Sequence, residues 1–133
     1  MTMTNPTYSL DPIGIVRSPL RDAATAPKQG PEGAPTAWIE LDARFADATF
    51  GLAAGDKLIL LTWLHKGRRD VLQCHPRDDL TAPLKGTFAT RSADRPNPIG
   101  LHPVTLLAID GLCLEVSPLE AIDGTPVLDL KPA

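Results

Sequence analysis

The 133-residue chain is 43% hydrophobic and 22% charged with a net charge of −3, which is the balance of a globular protein with a single core, since two domains of this total length would each be starved of core. No apolar run approaches the ~18 residues of a membrane span, and the acidic balance argues against sequence-independent attraction of the whole molecule to a polyanion. With only Cys74 and Cys113 for thiols, the expectation is one soluble, cytoplasmic domain over residues 1–133 with free, buried cysteines.

Met1 to Ser9, "MTMTNPTYS", has neither the basic start nor the apolar block of a signal peptide and is expected to be a flexible tail. Fourteen prolines spread along the chain leave little room for long helices. "PIGIVRS" (Pro12–Ser18) and "TAWIEL" (Thr36–Leu41) read as strands. Between them, the Pro-, Gly- and Ala-rich residues 19–35 exceed the ~12–15 residues usual for a structureless loop, a length typical of functional or disordered segments. From Asp42, a good N-cap, "ARFADATFGL" places Phe45, Ala48, Thr49 and Leu52 at helical spacing, so one short helix is expected. "KLILLTWL" (Lys57–Leu64) is the strongest buried strand and delivers His65 to its end. "DVLQC" (Asp70–Cys74), "GTFATR" (Gly86–Arg91) and "PVTLLAI" (Pro103–Ile109) follow as strands. "DGLCLEV" and "DGTPVLDLK" each open on an Asp-Gly turn into a further strand. Many short strands with one helix predict a mainly β protein, a small closed or nearly closed barrel with long functional loops, because closure removes exposed strand edges. A β-sandwich is the structural alternative. No GxGxxG fingerprint marks a Rossmann site.

His65 to Arg95 holds seven Lys/Arg against four Asp/Glu, a local excess of positive charge where an anionic partner would be met. Within it, Pro96 and Pro98 stiffen "RPNP" and push Arg95 and Asn97 toward extended backbone. A guanidinium fork suits carboxylate or phosphate, and an asparagine amide offers donor and acceptor to a base edge. The same residues also suit a proline-rich turn with solvated arginines, and local physics does not choose between the two. His65, Cys74 and His75 are competent zinc ligands, but their spacing matches no common zinc pattern, and no metal is expected. There is no nucleophile elbow for a Ser/His/Asp hydrolase.

"GTFATRSADRPNPIGL" together with "DGTPVLDLKP" resembles the two signature blocks of the TsaA-like, or TrmO-like, family of S-adenosylmethionine-dependent tRNA methyltransferases. Weaker likeness in "IGIVRSP", "PKQ" and "LTWLH" extends the resemblance over nearly the whole chain. The resemblance implies a β-barrel that forms a homodimer with the methyl donor bound near the interface. It implies a cofactor pocket of Pro27, Lys28 and Gln29, His65 and Lys66, Arg91, Leu101, and Ser117, Pro118, Leu119 and Glu120. Arg91 would hold the cofactor carboxylate, Glu120 would accept from ribose or ammonium, and Leu101 would pack on adenine. Arg95, Asn97, Arg68 and Arg69 would meet the substrate, threonylcarbamoyladenosine in tRNA. His65 and Asp123 are the candidates for a base that removes a proton from the acceptor nitrogen. Lys28 stands where the family commonly has arginine, Glu120 where it has aspartate, and Pro118 in a segment usually opened by glycine. Tyrosine-containing KPY-like sequences lead into a C-terminal domain in tRNA-acting members, whereas this sequence stops at "DLKPA", the mark of a short form. A module that senses S-adenosylmethionine or a nucleotide without catalysis, or a methyltransferase or hydrolase of small molecules, is the alternative reading.

Overall fold

Eight strands lie in the computed structural model, which describes residues 4–133. They are β1 (Gly14–Arg17), β2 (Ala37–Leu41), β3 (Lys57–Trp63), β4 (Gln73–Cys74), β5 (Lys85–Gly86), β6 (Ile99–Asp110), β7 (Cys113–Ser117) and β8 (Pro126–Pro132). Six of them close in the order β1-β2-β7-β6-β3-β8, while β4 and β5 form a separate hairpin. Every pairing is antiparallel. The first three residues of the expected 1–9 tail lie outside the described residues, and residues 4–10 are exposed with no regular secondary structure.

Alternation along each strand fills the barrel. Val16, Ile39, Leu60, Leu106, Leu114, Val116 and Val127 point inward and are fully buried, the arrangement expected when one face of every strand lines a closed interior. Register matters because a slip by one residue would turn a strand's apolar set outward. It is fixed across the longest pairing, where Lys57 to Trp63 oppose Thr105 to Ile99 residue for residue. Two glycines permit close approach. A Cβ on Gly14 would stand 2.4 Å from the Glu40 carbonyl oxygen, and one on Gly100 would stand 2.4 Å from Thr62 Oγ1.

The expected strand at Pro103 begins earlier, at Ile99, and crosses the proline. Pro103 is tolerated because β7 pairing starts only at Thr105, so no ladder bond is required of it on that side. The expected strand over 70–74 contracts to Gln73–Cys74, and that over 86–91 becomes Lys85–Gly86 followed by a 3-10 turn, Thr87–Ala89. Here Phe88 and Leu72 are exposed, so no buried face extends the ladder. The expected helix after Asp42 is a 3-10 segment, Ala43–Thr49, whose first turn is capped by Asp42 Oδ1 accepting from Arg44 N at 2.9 Å. Phe45 leaves helical geometry at φ −109°, ψ 15°.

The barrel interior sets the stability. Leu60→Ala, at a fully buried site, should cost about 2–5 kcal/mol in urea unfolding through lost transfer energy and the cavity left behind. Leu107→Ala, on the outward face of β6, should cost under about 1 kcal/mol in the same measurement.

Candidate functional site

One end of the barrel collects the sequence positions of interest. Here β3 runs out into His65 and Lys66, β6 begins at Ile99, and β7 ends at Ser117, from which the chain turns through Pro118 by a cis peptide bond. The segment before β2 folds over the same end: Leu119 N donates to the Pro35 carbonyl at 3.0 Å, and Gly30 is buried against Pro118 and Glu120. A Cβ on Gly30 would meet Pro118 Cγ at 3.1 Å and Glu120 Oε2 at 3.3 Å. A larger residue at position 30 would therefore push residues 27–30 away from residues 118–120.

Ion pairs anchor the loop on its other side. Lys28 Nζ lies 3.4 Å from Asp78 Oδ2, and Arg77 pairs with Glu32 at 2.7 Å. The Arg77 guanidinium, hydrogen-bonded to Glu32, holds that carboxyl below its ordinary value. Lys28 and Gln29 are exposed and Pro27 is half-buried.

Pairing divides the remaining candidates into two groups. Arg68 is engaged by Asp70 at 2.8 Å. Arg69 donates to the Pro96 carbonyl and to Asn97 Oδ1 at 2.7 and 2.9 Å and stacks 5.3 Å over the Trp63 ring. Arg95 is half-buried and bonds the carbonyls of Thr90 and Ser92 at 2.9 and 3.3 Å, so its guanidinium shapes the loop that carries Arg91. Asp123 accepts from Ser18 N and from Arg21 at 3.0 and 3.1 Å, tying the exit of β1 to the entry of β8. The side chains of Gln29, Lys66 and Arg91, by contrast, are exposed, and no hydrogen bond or ion pair among the described residues engages them.

Leu101 faces outward from β6 and is 44% exposed. Ser117 and Pro118 are half-buried, whereas Leu119 is fully buried. Its side chain belongs to the core because it completes the barrel end, so within the expected set 117–120 only its neighbours offer side chains to a ligand.

Reading the sequence missed a buried polar chain. His102 Nδ1 lies 2.5 Å from Glu120 Oε1, and His102 Nε2 lies 2.7 Å from Thr62 Oγ1. His102 is only 3% exposed and Thr62 not at all. The signal was the alternation of "IGLHPV" once Ile99 is taken as the strand start, which puts Leu101 outside and His102 inside. The zinc alternative fares differently: Cys74 Sγ faces Thr90 Oγ1 at 3.9 Å and His75 Nδ1 faces the Ala82 carbonyl at 3.0 Å. No three His, Cys, Asp or Glu side chains among the described residues come together in a metal-binding arrangement, and no helix among them is long and apolar enough to cross a membrane.

Burial first, and the charge of Lys66 second, hold the His65 imidazole below its ordinary value of 6.5. The folded state therefore resists His65 protonation more than the unfolded chain does. This contribution to stability is complete above the ordinary value and declines as pH falls from there toward the lowered one. NMR titration should place the His65 midpoint below 6.5, and Lys66→Gln should raise it only part of the way, because desolvation is the larger cause. A midpoint unchanged by Lys66→Gln would remove the charge contribution.

Several known proteins are similar to this chain. A Probable S-adenosyl-L-methionine-binding protein of Archaeoglobus fulgidus is 43% identical over 90% of this chain, which covers 32% of that protein. One so named from Methanothermobacter thermautotrophicus is 38% identical over 98% of the chain and 93% of its own length. The tRNA (adenine(37)-N6)-methyltransferase of Escherichia coli is 36% identical over 94% of this chain and 57% of its own. The crystal structure of TrmO from Pseudomonas aeruginosa superposes with a TM-score of 0.77 at 32% identity, covering 99% of this chain and 57% of the other. The chain thus spans between a third and just over half the length of three of these four proteins. Residues 15–133 match the tRNA-methyltransferase O N-terminal domain, and with it the chain belongs to that family.

Proposed function

We propose that the protein binds S-adenosylmethionine and methylates a nitrogen of a modified adenosine in tRNA, threonylcarbamoyladenosine, in the cytoplasm. The observation that carries this reading is the likeness to a protein named tRNA (adenine(37)-N6)-methyltransferase over 94% of the chain. The side chains at the barrel end suit such a cofactor by chemistry. Lys66 and Arg91, unpaired among the described residues, are cations for a carboxylate, Glu120 is an acceptor for hydroxyl or ammonium, and Leu101 is an apolar face for adenine. Lys28 and Gln29, on the segment folded against residues 118–120, would close over it, with Pro27, Ser117 and Pro118 shaping the walls.

The cofactor supplies a methyl group on a sulfonium sulfur, which departs as a neutral thioether when a nucleophile takes the methyl. What remains for the protein is to align the acceptor nitrogen and to receive its proton. His65 suits the second task better than Asp123. Its lowered pKa keeps it neutral near pH 7, while both Asp123 oxygens are already occupied. Arg68 and Arg69 remain exposed enough to meet phosphates and Asn97 retains its amide donors for a base, whereas Arg95 contributes by holding the loop.

Incubation with S-adenosylmethionine and tRNA lacking the modification tests the reading. Expected are S-adenosylhomocysteine formation stimulated by the RNA and a methylated adenosine by mass spectrometry. Arg91→Ala should weaken cofactor binding by ~1.5–3 kcal/mol, the worth of a charged hydrogen bond, in a protein that stays folded. Binding of S-adenosylmethionine without turnover on any tRNA would favour a sensor, a reading supported by relatives named only as binding proteins. No binding at all would sink both.

The same reading calls for a second copy of the chain. Leu72, Leu84 and Phe88, in and next to the β4–β5 hairpin, are 69, 54 and 85% exposed, apolar surface that costs free energy in water unless covered. A two-fold dimer would cover it and shelter the exposed cofactor groups. Light scattering should give twice the 14.2 kDa chain mass, and Phe88→Asp should give the single mass; a wild-type monomer that binds cofactor fully would overturn the dimer.

A further inference from the structure

We propose that His102, buried inside the barrel, is a positioning residue that fixes the Glu120 carboxylate so that its Oε2 reads a hydrogen-bond donor of the ligand. This rests on the reading that the barrel end binds S-adenosylmethionine.

The proton arrangement follows from donor and acceptor inventories. An ionised carboxylate only accepts, so the 2.5 Å contact requires His102 Nδ1 to carry the proton. In the neutral ring Nε2 is then an acceptor, and the Thr62 hydroxyl at 2.7 Å donates to it. Both ring nitrogens are satisfied, and the imidazole cannot rotate without breaking two bonds. Glu120 Oε1 is thereby held.

Its other oxygen is free. Every buried side-chain nitrogen or oxygen among the described residues has a hydrogen-bond partner, and Oε2 accepts none from the described residues, so Oε2 is the oxygen that solvent or ligand reaches. It faces Gly30, where a Cβ would stand 3.3 Å away, directly after the exposed Lys28 and Gln29. A carboxylate with one oxygen locked and one presented is a preorganised acceptor, and preorganisation lowers the cost of binding.

Room for this chain is made deliberately. A Cβ at position 100 would meet Thr62 Oγ1 at 2.4 Å and His102 Nε2 at 2.6 Å. The barrel gives up a side chain there for a polar chain inside an otherwise aliphatic core, where apolar residues of equal volume would pack without any partner requirement. The polar chain ends at the one reachable oxygen, which is the property that an aliphatic replacement would lose.

Calorimetry with S-adenosylhomocysteine on the full chain separates positioning from mere packing. Glu120→Gln keeps an acceptor for His102 but turns a donor toward the ligand, and His102→Leu removes the clamp. Each should weaken binding roughly 10-fold or more, and the double variant should bind no worse than the weaker single one, because both act through one carboxylate. His102→Asn, whose amide keeps a donor where Nδ1 stands, should recover affinity to within a few-fold of wild type. Nitrogen-resolved NMR of the wild type, which needs no variant, should find the ring proton on Nδ1 and its resonance displaced on saturation with ligand. A folded His102→Leu that binds at wild-type affinity, additive losses in the double variant, or a proton found on Nε2 would each overturn the positioning role while leaving cofactor binding intact. A wild type that binds no S-adenosylhomocysteine would overturn the cofactor reading and this inference with it.

Discussion

The pairing of β3 with β6 governs the chemistry at the barrel end. Its register sets Thr62 opposite Gly100 and Leu60 opposite His102. In a barrel the inward residues of neighbouring strands lie within reach of one another, so Thr62 and His102 meet only in this register. A shift by one residue would carry His102 to the outer face and bring Leu101 inside. That same shift would leave Glu120 without its donor. The site is therefore a consequence of strand register rather than of the loops around it, and the loops add groups to an end already polarised.

Electrostatics then sort the basic stretch between His65 and Arg95 into scaffold and free charge. Exposed pairs such as Arg68–Asp70 contribute little to stability. Arg69 differs, because one planar guanidinium stacks on Trp63 while bonding the Pro96 carbonyl and Asn97. A lysine could not make that set of contacts with a single ammonium. Arg95 N donates to the Arg68 carbonyl and the Arg95 guanidinium to Thr90 and Ser92. The stiff "RPNP" segment is thus held from both sides, whereas the side chains of Lys66 and Arg91 are engaged by no hydrogen bond or ion pair among the described residues.

Most of the barrel was legible in the sequence. A β-branched run marked β1, alternation marked β2 and a continuous apolar run marked β3, while Asp-Gly turns marked where β7 and β8 begin. The missed start of β6 has a physical cause: two prolines before Ile99 and one at 103 make the stretch look like a turn, and only the absence of a β7 partner beside Pro103 lets the strand pass. That error hid His102, whose inward orientation depends on where the strand starts. The division of arginines into paired and unpaired was likewise illegible, since Arg95 and Arg91 differ not in residue type but in which carbonyls the folded loop brings near. The proposed cofactor positions rest on resemblance alone, because no spacing rule distinguishes Arg91 from its neighbours.

The two ends of the barrel differ in what they offer a charged ligand. A cavity of about 580 Å³ lies at the far end, between the 3-10 segment of residues 43–49 and β8, and is lined by Ile13, Leu41, Phe45, Leu52, Leu58 and Leu130. Its charged rim is already engaged: Asp56 accepts from Ala53 N, Lys57 bonds Thr105, and Lys131 lies 3.7 Å from Asp129. A zwitterion entering there would surrender its hydration without finding a free partner, an outcome that costs more than the apolar contact returns. At the near end the balance reverses, because among the described residues Lys66, Arg91 and Glu120 Oε2 lack partners that a carboxylate, an ammonium and hydroxyls would supply. Unmet hydrogen-bonding capacity, beside a buried chain that is itself fully satisfied, distinguishes the end proposed to bind cofactor from the cavity opposite, whose polar rim is already engaged.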